Sequence, residues 1–246
     1  MDGFDPRTAF GPDVAARYDT APRGDEDETV AFLAGLAGEG PALEFAVGTG
    51  RIALPLAAQG VRVDGVELSA SMIERLRAKP GGAGLHVEQG DMSTSTLPGR
   101  YRLVYLVFNT IFNLLTQDGQ VRCFENAARH LDDDGVFVVE AAVAGPAYPV
   151  TPQYVAAESV AAGRVVLDVG RYDPVAQVLD ECHVELSAAG VRLAPIVTRY
   201  ASPAELDLMA RLAGLRLRDR WGGWRGEEFT ASSTRHVSVY EWARNS

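Results

Sequence analysis

The chain has 246 residues, 47% of them hydrophobic and 23% charged, a composition typical of a folded globular protein rather than a disordered one. Its formal net charge of -10 would repel nucleic-acid phosphates and anionic membrane surfaces, so we expect neither as a partner. The chain has only two cysteines, its start is unlike a signal peptide, and it contains no apolar run of membrane-spanning length. These features favour a cytoplasmic protein.

The first predicted element is a helix, in which the acidic residues 25–28 form the first turn and the apolar run 29–36 follows. Beyond it, short apolar runs alternate with helical segments. The pattern predicts strands at 42–47, 61–67, 85–89, 101–108 and 136–140, and helices at 52–58, about 69–79 and about 119–131. Repeated strand-helix-strand units indicate a parallel sheet covered by helices on both faces.

The pattern changes after Glu140. Three β-rich stretches, at 165–171, 178–186 and 191–198, are separated by turn residues, which predicts a small antiparallel insert. Ser202-Pro203 then begins a helix that Gly214 ends, and segments 215–221 and 236–242 are expected to form an antiparallel pair at the sheet edge. The predicted organisation is an N-terminal arm and core over 1–140, the insert over 141–200, and completion of the core sheet over 201–246.

The most informative stretch is the glycine turn LEFAVGTGR at 43–51, which follows the first predicted strand. Glycines let the backbone approach a ligand, and the helix after them offers unpaired N–H groups, so the turn predicts a nucleotide-like ligand. Residues 48–53 fit the pattern G-x-G-x-x-G/A, and Glu67 follows at about the spacing of an acid that binds a ribose. On this evidence alone a dinucleotide site remains open.

Two further acidic residues distinguish the alternatives. Glu44 interrupts the strand before the turn, where a buried carboxylate needs an ammonium-bearing ligand or the N–H groups of the turn. Gly90-Asp91-Met92 adds an acid at the same sheet edge, suited to the exocyclic amine of adenine. Together, residues 42–140 resemble the class I S-adenosylmethionine-dependent methyltransferases, whose glycine turn has the form E-x-A/G-x-G-x-G. The terminal strand pair resembles the reversed seventh strand of that family.

The resemblance implies an α/β fold: a doubly wound seven-stranded sheet, the Rossmann-like methyltransferase fold, with a reversed terminal strand and a small antiparallel β insert. It implies S-adenosyl-L-methionine as cofactor and methyl transfer to nitrogen or oxygen of a small-molecule metabolite by in-line displacement. The cofactor-binding residues that it implies are Tyr18, Arg23, Glu44, Ala46, Gly48, Gly50, Arg51, Glu67, Leu68, Met72, Asp91, Met92 and Phe108. Glu67 is expected to hold the ribose, Asp91 the adenine edge, and Arg23 or Arg51 the methionine carboxylate.

The candidate catalytic residues are Tyr18, Asn109 and His183. Tyr18 belongs to a Tyr-Asp segment resembling the arm by which many small-molecule methyltransferases close over the cofactor. Asn109 and Asn113 follow the strand that borders the transferring methyl in this family, and loop capping is an equally consistent role for asparagine there. His183 lies on the polar face of an alternating strand as a base, a substrate contact or a solvated side chain.

Several alternatives stay open from the sequence. The aromatic residues Tyr148, Tyr154, Trp221, Trp224 and Phe229 form either a substrate wall or a local core. No histidine or cysteine has metal-ligand spacing, so no metal is expected. The protein is expected to be a monomer or homodimer. A non-catalytic S-adenosylmethionine-binding protein and, less favoured, an NAD-dependent oxidoreductase are the competing functions.

Overall fold

The central feature of the computed structural model, which describes residues 9–20, 23–143 and 153–243, is a mixed sheet of seven strands. In chain order its strands are β1 (Ala42–Phe45), β2 (Val63–Glu67), β3 (His86–Gln89), β4 (Tyr101–Leu106), β5 (Leu131–Ala142), β10 (Leu215–Trp221) and β11 (Arg235–Trp242). Across the sheet they lie in the order β10-β11-β5-β4-β1-β2-β3. The predicted doubly wound seven-stranded sheet is confirmed.

Helices cover both faces of this sheet. They are α1 (Pro12–Arg17), α2 (Glu26–Ala37), α3 (Ala53–Ala58), α4 (Ala70–Arg77), α5 (Gln117–His130) and α6 (Pro203–Leu212). On one face, α5 and α6 pack against a core that includes Phe124, Phe137 and Tyr240. On the other, α2 and α3 pack around Leu33, Leu56 and Tyr105. Strand β1 is therefore buried along its whole length, as its apolar sequence requires.

The direction of the sheet reverses at one strand. β1 pairs in parallel with β2 and β4, and β4 pairs in parallel with β5. β11 runs antiparallel to both β5 and β10, which confirms the predicted reversed terminal strand. The chain order along the sheet changes direction between β1 and β4, so a crevice opens at their carboxyl ends, where ligands bind in open α/β sheets.

A second sheet of four antiparallel strands follows β5. Its strands are β6 (Gln153–Ala161), β7 (Arg164–Asp173), β8 (Val178–Ser187) and β9 (Gly190–Arg199), in that order. The small antiparallel insert is confirmed, but the sequence predicted three strands and missed β6. The β6 sequence QYVAAESVA is rich in alanine, which is depleted in strands, and a register shift between Ala157 and Ser159 breaks its alternation.

The ends of the elements are fixed by local hydrogen bonds. Ser69 caps α4 by accepting a hydrogen bond from the Met72 amide at 3.2 Å. Thr116 caps α5 from the Gly119 amide, so this helix begins before the predicted residue 119. β4 ends at Leu106 instead of the predicted residue 108, because Phe108 has a left-handed backbone with φ of 59°. Within the described residues, no helix is both long and apolar enough to cross a bilayer.

Candidate functional site

A cavity of about 700 Å³ lies between the carboxyl ends of the central strands and the second sheet. Its floor is formed by residues at the ends of β2, β3 and β4, among them Glu67, Gly90 and Phe108. β8 and β9 form the opposite wall, and the N-terminal arm contributes Phe10 and Tyr18. This volume falls within the range of small-molecule sites, roughly 300–1,000 Å³. The cavity is therefore the candidate active site.

The glycine turn after β1 has an unusual backbone. Gly48 and Gly50 have φ values of 58° and 76°, a region in which glycine is favoured. Ala46 is also left-handed, with φ of 53°, which costs energy for a residue with a Cβ atom. A Cβ atom on Gly50 would lie 2.9 Å from Cγ of Leu54. Ala46 and Gly48 line the cavity, whereas Gly50 packs against α3.

Glu67 connects the end of β2 to this turn. Its Oε2 atom accepts a hydrogen bond from the Gly48 amide at 2.9 Å, and its Oε1 atom accepts one from the Ser69 amide at 2.8 Å. Burial raises the pKa of this carboxyl, and the hydrogen bonds from Ser69 and Gly48 oppose that shift. Glu67 lines the cavity, and each of its oxygens has a second lone pair that can accept a ligand hydroxyl.

The neighbouring part of the cavity suits a flat ring with a polar edge. Leu68, Met72 and Met92 line it, and both methionines are buried. Asp91 lines it too, and its Oδ1 atom accepts a hydrogen bond from the Ser93 amide at 2.7 Å. An acceptor-only carboxylate beside apolar walls matches the edge and faces of an adenine ring.

The N-terminal arm is tied to the glycine turn by one aspartate. Thr49 donates a hydrogen bond to Asp19 at 2.7 Å, and Nζ of Lys79 lies 2.8 Å from the other oxygen of Asp19. Lys79 also donates to the Thr49 carbonyl at 2.7 Å. Near the start of the described arm, Ser69 donates to the Phe10 carbonyl at 2.6 Å. These bonds hold Tyr18 over the cavity.

The segment after β4 is held by a buried carboxylate that the sequence did not single out. Phe108 and Asn109 are consecutive left-handed residues, with φ of 59° and 62°. The Phe108 amide donates to Glu140 Oε2 at 2.7 Å, and Asn109 Oδ1 accepts from the Ala142 amide at 2.6 Å. Asn109 and Phe108 both line the cavity. Strain of this kind persists where surrounding bonds fix it, and it is concentrated at functional sites.

Arg23 and Arg51, the two residues expected at the methionine carboxylate, do not line the cavity. Arg23 makes two hydrogen bonds to Glu140, at 2.8 and 3.1 Å, and its guanidinium lies 3.9 Å from the centre of the Phe108 ring. Arg51 donates to the Tyr18 carbonyl at 2.7 Å and lies 4.8 Å from the centre of the Tyr18 ring. Both arginines are therefore bound to protein groups. Each packs on an aromatic ring that lines the cavity, Arg23 on Phe108 and Arg51 on Tyr18.

Glu44 is likewise outside the cavity lining. This residue is 3% exposed, and the Tyr105 hydroxyl donates to its carboxyl at 2.9 Å. The buried donors that the structure supplies to Glu44 are the Tyr105 hydroxyl and the Ala53 amide. Desolvation raises the pKa of Glu44 to about 8, so this carboxyl holds a proton at neutral pH.

The second sheet brings acidic groups to the cavity wall. Nδ1 of His183, on β8, lies 2.5 Å from Oδ1 of Asp168, its cross-strand neighbour on β7. Glu181, two residues before His183, accepts a hydrogen bond from the Tyr154 hydroxyl. His183 and Glu181 both line the cavity. The Tyr154 ring reaches across β7 because Gly170 has no Cβ atom, which would lie 2.8 Å from the ring.

Three potential metal ligands lie close together in the structure, although the sequence predicts no metal site. Glu158, Asp168 and His183 each offer a ligand atom, and these atoms lie within 4.8 Å of one another. The three residues come from neighbouring strands, so no spacing along the sequence reveals them. The short contact between His183 and Asp168 is a direct hydrogen bond, which needs no bridging ion.

Of the two alternatives for the aromatic residues, a substrate wall or a local core, the described residues favour the local core. Trp221, Trp224 and Phe229 do not line the cavity. Trp224 is buried against Phe32 of α2, with ring centres 5.5 Å apart, and belongs to the local core. Tyr154 donates a hydrogen bond to Glu181, which lines the cavity. Tyr148 lies outside the described residues.

The comparisons with known proteins agree with this geometry. A family model for a methyltransferase domain matches residues 42–135. The solved CcbJ methyltransferase from Streptomyces caelestis is 40% identical, with 98% of this chain and 100% of that chain covered and a TM-score of 0.91. The chain belongs to the class I S-adenosylmethionine-dependent methyltransferases. This methyltransferase is therefore an enzyme with S-adenosylmethionine as cofactor, and the predicted general activity, methylation of nitrogen or oxygen in small molecules, is confirmed.

Two further relatives cover less of the chain or are less similar. An amino-sugar enzyme from Streptomyces fradiae, dTDP-3-amino-3,6-dideoxy-alpha-D-glucopyranose N,N-dimethyltransferase, is 34% identical over 64% of this chain and 64% of its own length. The cypemycin N-terminal methyltransferase of a Streptomyces species is 26% identical over 81% of this chain and 82% of its own. Family membership excludes the oxidoreductase alternative and supports an enzyme over a non-catalytic binding protein.

The lining of the cavity fits the cofactor of this methyltransferase. Its polar groups at one end are the carboxylates of Glu67 and Asp91, which accept hydrogen bonds from hydroxyl and amine groups. Its apolar groups there are Leu68, Met72 and Met92. Gly48 leaves the backbone bare where a ligand approaches, since a Cβ atom there meets only the Ala46 carbonyl, at 3.9 Å.

Sequence analysis missed several residues of this site, among them Phe10, Glu140, Asp168 and Glu181. Glu140 ends an apolar run, and a charged residue inside a buried strand is a signal for a specific partner. Asp168 follows from His183 once the register of the β7-β8 hairpin is known. Phe10 lies in an arm without periodicity, so the sequence offers no signal for it.

The raised pKa of Glu44 predicts how stability depends on pH. Between the ordinary value of 4.5 and about 8, the folded chain keeps a proton that the unfolded chain has lost. Stability therefore falls as pH rises through this window, with a slope of about 1.4 kcal/mol per pH unit from this group. Glu44→Gln, which mimics the protonated form, is expected to remove that slope in urea unfolding from pH 5 to about 8. The matched change Glu88→Gln, at an exposed position on β3, should leave it; equal slopes in all three proteins would contradict the assignment.

Proposed function

We propose that this methyltransferase methylates an amine nitrogen of a small molecule, and that a His183-Asp168 pair accepts the proton of the amine. The observation that carries the proposal is the 2.5 Å contact between these side chains at the cavity wall. The names of two relatives, an amino-sugar N,N-dimethyltransferase and an N-terminal methyltransferase, support a nitrogen acceptor.

The charges of the second-sheet wall favour a cationic acceptor. Glu181 and His183 line the cavity, and Asp168 and Glu158 lie beside His183. An ammonium group entering this side meets the carboxylates of the second sheet, whereas the arginine of the described lining, Arg122, belongs to α5. A phosphate or carboxylate acceptor would be repelled by the same groups.

The proton must leave before the nitrogen lone pair can react. When bound, S-adenosylmethionine supplies a methyl group on a positively charged sulfur, which is already a good electrophile. Asp168 holds the N–H of His183 Nδ1, so Nε2 is the nitrogen with a free lone pair. The acceptor ammonium gives its proton to Nε2, and Asp168 stabilises the resulting imidazolium. Tyr18 and Asn109, which also line the cavity, orient the acceptor nitrogen.

The cofactor contacts follow from the lining. We assign the ribose hydroxyls to Glu67, the adenine to Leu68, Met72, Asp91 and Met92, and the methionine part to the turn at Ala46 and Gly48, under Tyr18 and Phe108. Residues 141–200 act as the acceptor lid over the core formed by 1–140 and 201–246. Cytoplasmic activity is supported by the two free cysteines, and the net charge of -10 argues against nucleic acid as a partner.

Matched acceptors test the nitrogen assignment. We expect the enzyme to release S-adenosylhomocysteine with a panel of primary and secondary amines, amino sugars among them, and not with the corresponding alcohols in which a hydroxyl replaces the amine. The released product is quantified by liquid chromatography. Turnover of the alcohols with the amines inactive would refute a nitrogen acceptor without touching the family assignment.

Two substitutions test the cofactor contacts. Glu67→Ala and Asp91→Ala are each expected to weaken S-adenosylmethionine binding at least tenfold, about 1.4 kcal/mol, because each removes a hydrogen-bond acceptor from the cavity. Isothermal titration calorimetry gives the Kd. Glu88→Ala, an exposed glutamate on β3, is the control and should bind like the wild type. Unchanged affinity in both cavity variants would refute these contacts.

Two further substitutions test the proton acceptor. His183→Gln and Asp168→Asn are expected to lower kcat about 100-fold, in line with loss of a general base, while the Kd for S-adenosylmethionine stays unchanged. The loss should shrink above the pKa of the acceptor ammonium, where the amine has already lost its proton and needs no base. His86→Gln, exposed on β3, is the control, and added chelator should not change wild-type activity. A kcat that is unaffected in both variants, or abolished by chelator, would contradict a metal-free pair.

A further inference from the structure

One buried arginine joins the second sheet to the core. Arg199 ends β9, is 4% exposed and donates hydrogen bonds to side chains from three other segments. Its acceptors are Gln120 on α5, Gln177 in the turn before β8 at 2.7 Å, and Glu205 on α6 at 2.8 Å. We call these four residues the junction. Their side chains do not line the cavity, so any effect on the reaction passes through their neighbours.

Further hydrogen bonds close the junction into a network. Gln177 donates to the second oxygen of Glu205 at 2.9 Å, and Gln117, the first residue of α5, donates to the first oxygen at 2.8 Å. Gln120 donates to the Arg199 carbonyl at 2.9 Å. Burial opposes ionisation of Glu205, but the hydrogen bonds that it accepts, from Arg199 first, outweigh burial and lower the pKa of this carboxyl. A network in which each charge has its partner favours one arrangement of the segments that it joins.

The junction adjoins cavity-lining residues of both sheets. The paired residues Leu179 and Thr198 line the cavity at the base of β8 and β9, next to the junction. On the core side, Gln120 donates to the Ile111 carbonyl at 3.2 Å. Ile111 belongs to the short helix 110–113 after β4, and the other three residues of that helix line the cavity. The junction therefore connects the two opposite walls of the cavity.

We propose that Arg199 and Glu205 are positioning residues for methyl transfer, which fix the place of the second sheet relative to the cofactor end of the cavity. The proposal rests on the proposed role of this sheet as the acceptor wall, since the sheet carries Glu181 and His183. From Gln177 to His183 is about 20 Å along β8, at about 3.3 Å per residue. A rotation of roughly 3° about the junction therefore moves His183 by about 1 Å, a displacement that can cost about 100-fold in rate.

The backbone of Gln177 supports a functional role for its side chain. Its φ of 58° is left-handed, a region that disfavours residues with a Cβ atom. Its carbonyl accepts from the Tyr200 amide at 2.9 Å, a bond that glycine could make equally well. Only the side-chain amide bridges Arg199 and Glu205. Glutamine at this position therefore sacrifices backbone stability for the bridge, as strained residues at functional sites do.

Two variants test the positioning role. Gln177→Gly removes the bridge and suits the left-handed backbone, so its stability in urea should equal or exceed that of the wild type. Glu205→Gln keeps the shape but replaces one acceptor oxygen with an N–H donor group. Each variant is expected to lower kcat at least tenfold and to leave the Kd for S-adenosylmethionine within twofold of the wild type. The acceptor is whichever amine or alcohol of the panel above the wild type methylates.

Asp207→Asn is the matched control for the loss of charge. Asp207 lies two residues after Glu205 on α6 and binds Arg220 of β10 through both oxygens, at 2.5 and 3.2 Å. This ion pair joins two elements of the core and does not touch the second sheet. Its loss should lower the urea midpoint and leave kcat within twofold of the wild type.

Hydrogen exchange, read by mass spectrometry, tests the same proposal without an acceptor. In both junction variants the amides of 110–113 and 178–183 should exchange faster, whereas those of β1 and β2 should match the wild type; Asp207→Asn should alter neither group. Unchanged kcat in the folded junction variants, or an equal loss of kcat in Asp207→Asn, would overturn the proposal. Should Glu205→Gln not fold, Gln177→Gly decides. A wild type that methylates only alcohols refutes the nitrogen acceptor and leaves the junction test intact, and with a wholly inactive panel unchanged exchange would overturn the proposal.

Discussion

The hydrogen bond from the Gly48 amide to Glu67 joins two strands at the point where the sheet changes winding direction. A left-handed turn has backbone amides without helix partners, and a carboxylate at the end of the next strand is the strongest acceptor that the fold can place there. The same carboxylate also accepts from the Ser69 amide and so fixes the start of α4. One side chain therefore sets the relative position of β1, β2 and two helices, and it still faces the cavity.

Two buried acids organise the rest of the site through different partners. Glu44 lies below the turn with its pKa raised to about 8, whereas Glu140 binds the Arg23 guanidinium through both oxygens. A neutral acid needs only a hydrogen-bond donor, but an ionised one needs a cation when it is buried. The arginine on Glu140 also covers the Phe108 ring, so the segment after β4 and the N-terminal arm are held by one ion pair.

Sequence patterns located the sheet, its reversed strand and most of the cavity floor, because apolar runs, glycines and acids recur there at spacings that the fold dictates. Ala46, Gly48, Glu67, Leu68, Met72, Asp91, Met92, Phe108, Asn109, Tyr18 and His183 all line the cavity. Four predicted residues do not line it: Arg23, Glu44, Gly50 and Arg51. Each is close in sequence to lining residues, but its side chain or backbone is bonded or packed against other parts of the protein. Asp168 could not be found without the register of the β7-β8 hairpin. β6 could not be found because its pairing with β7 outweighs the weak strand propensity of its sequence.

Lys79 is the only lysine in the chain, and its amine is bonded to Asp19 and to the Thr49 carbonyl. The protein therefore presents one ε-amino group to acylating or alkylating reagents, on a side chain that is 26% exposed and bonded to both the arm and the turn. Covalent modification of this nitrogen would remove its charge or add bulk, and would so break its bonds to Asp19 and to the Thr49 carbonyl.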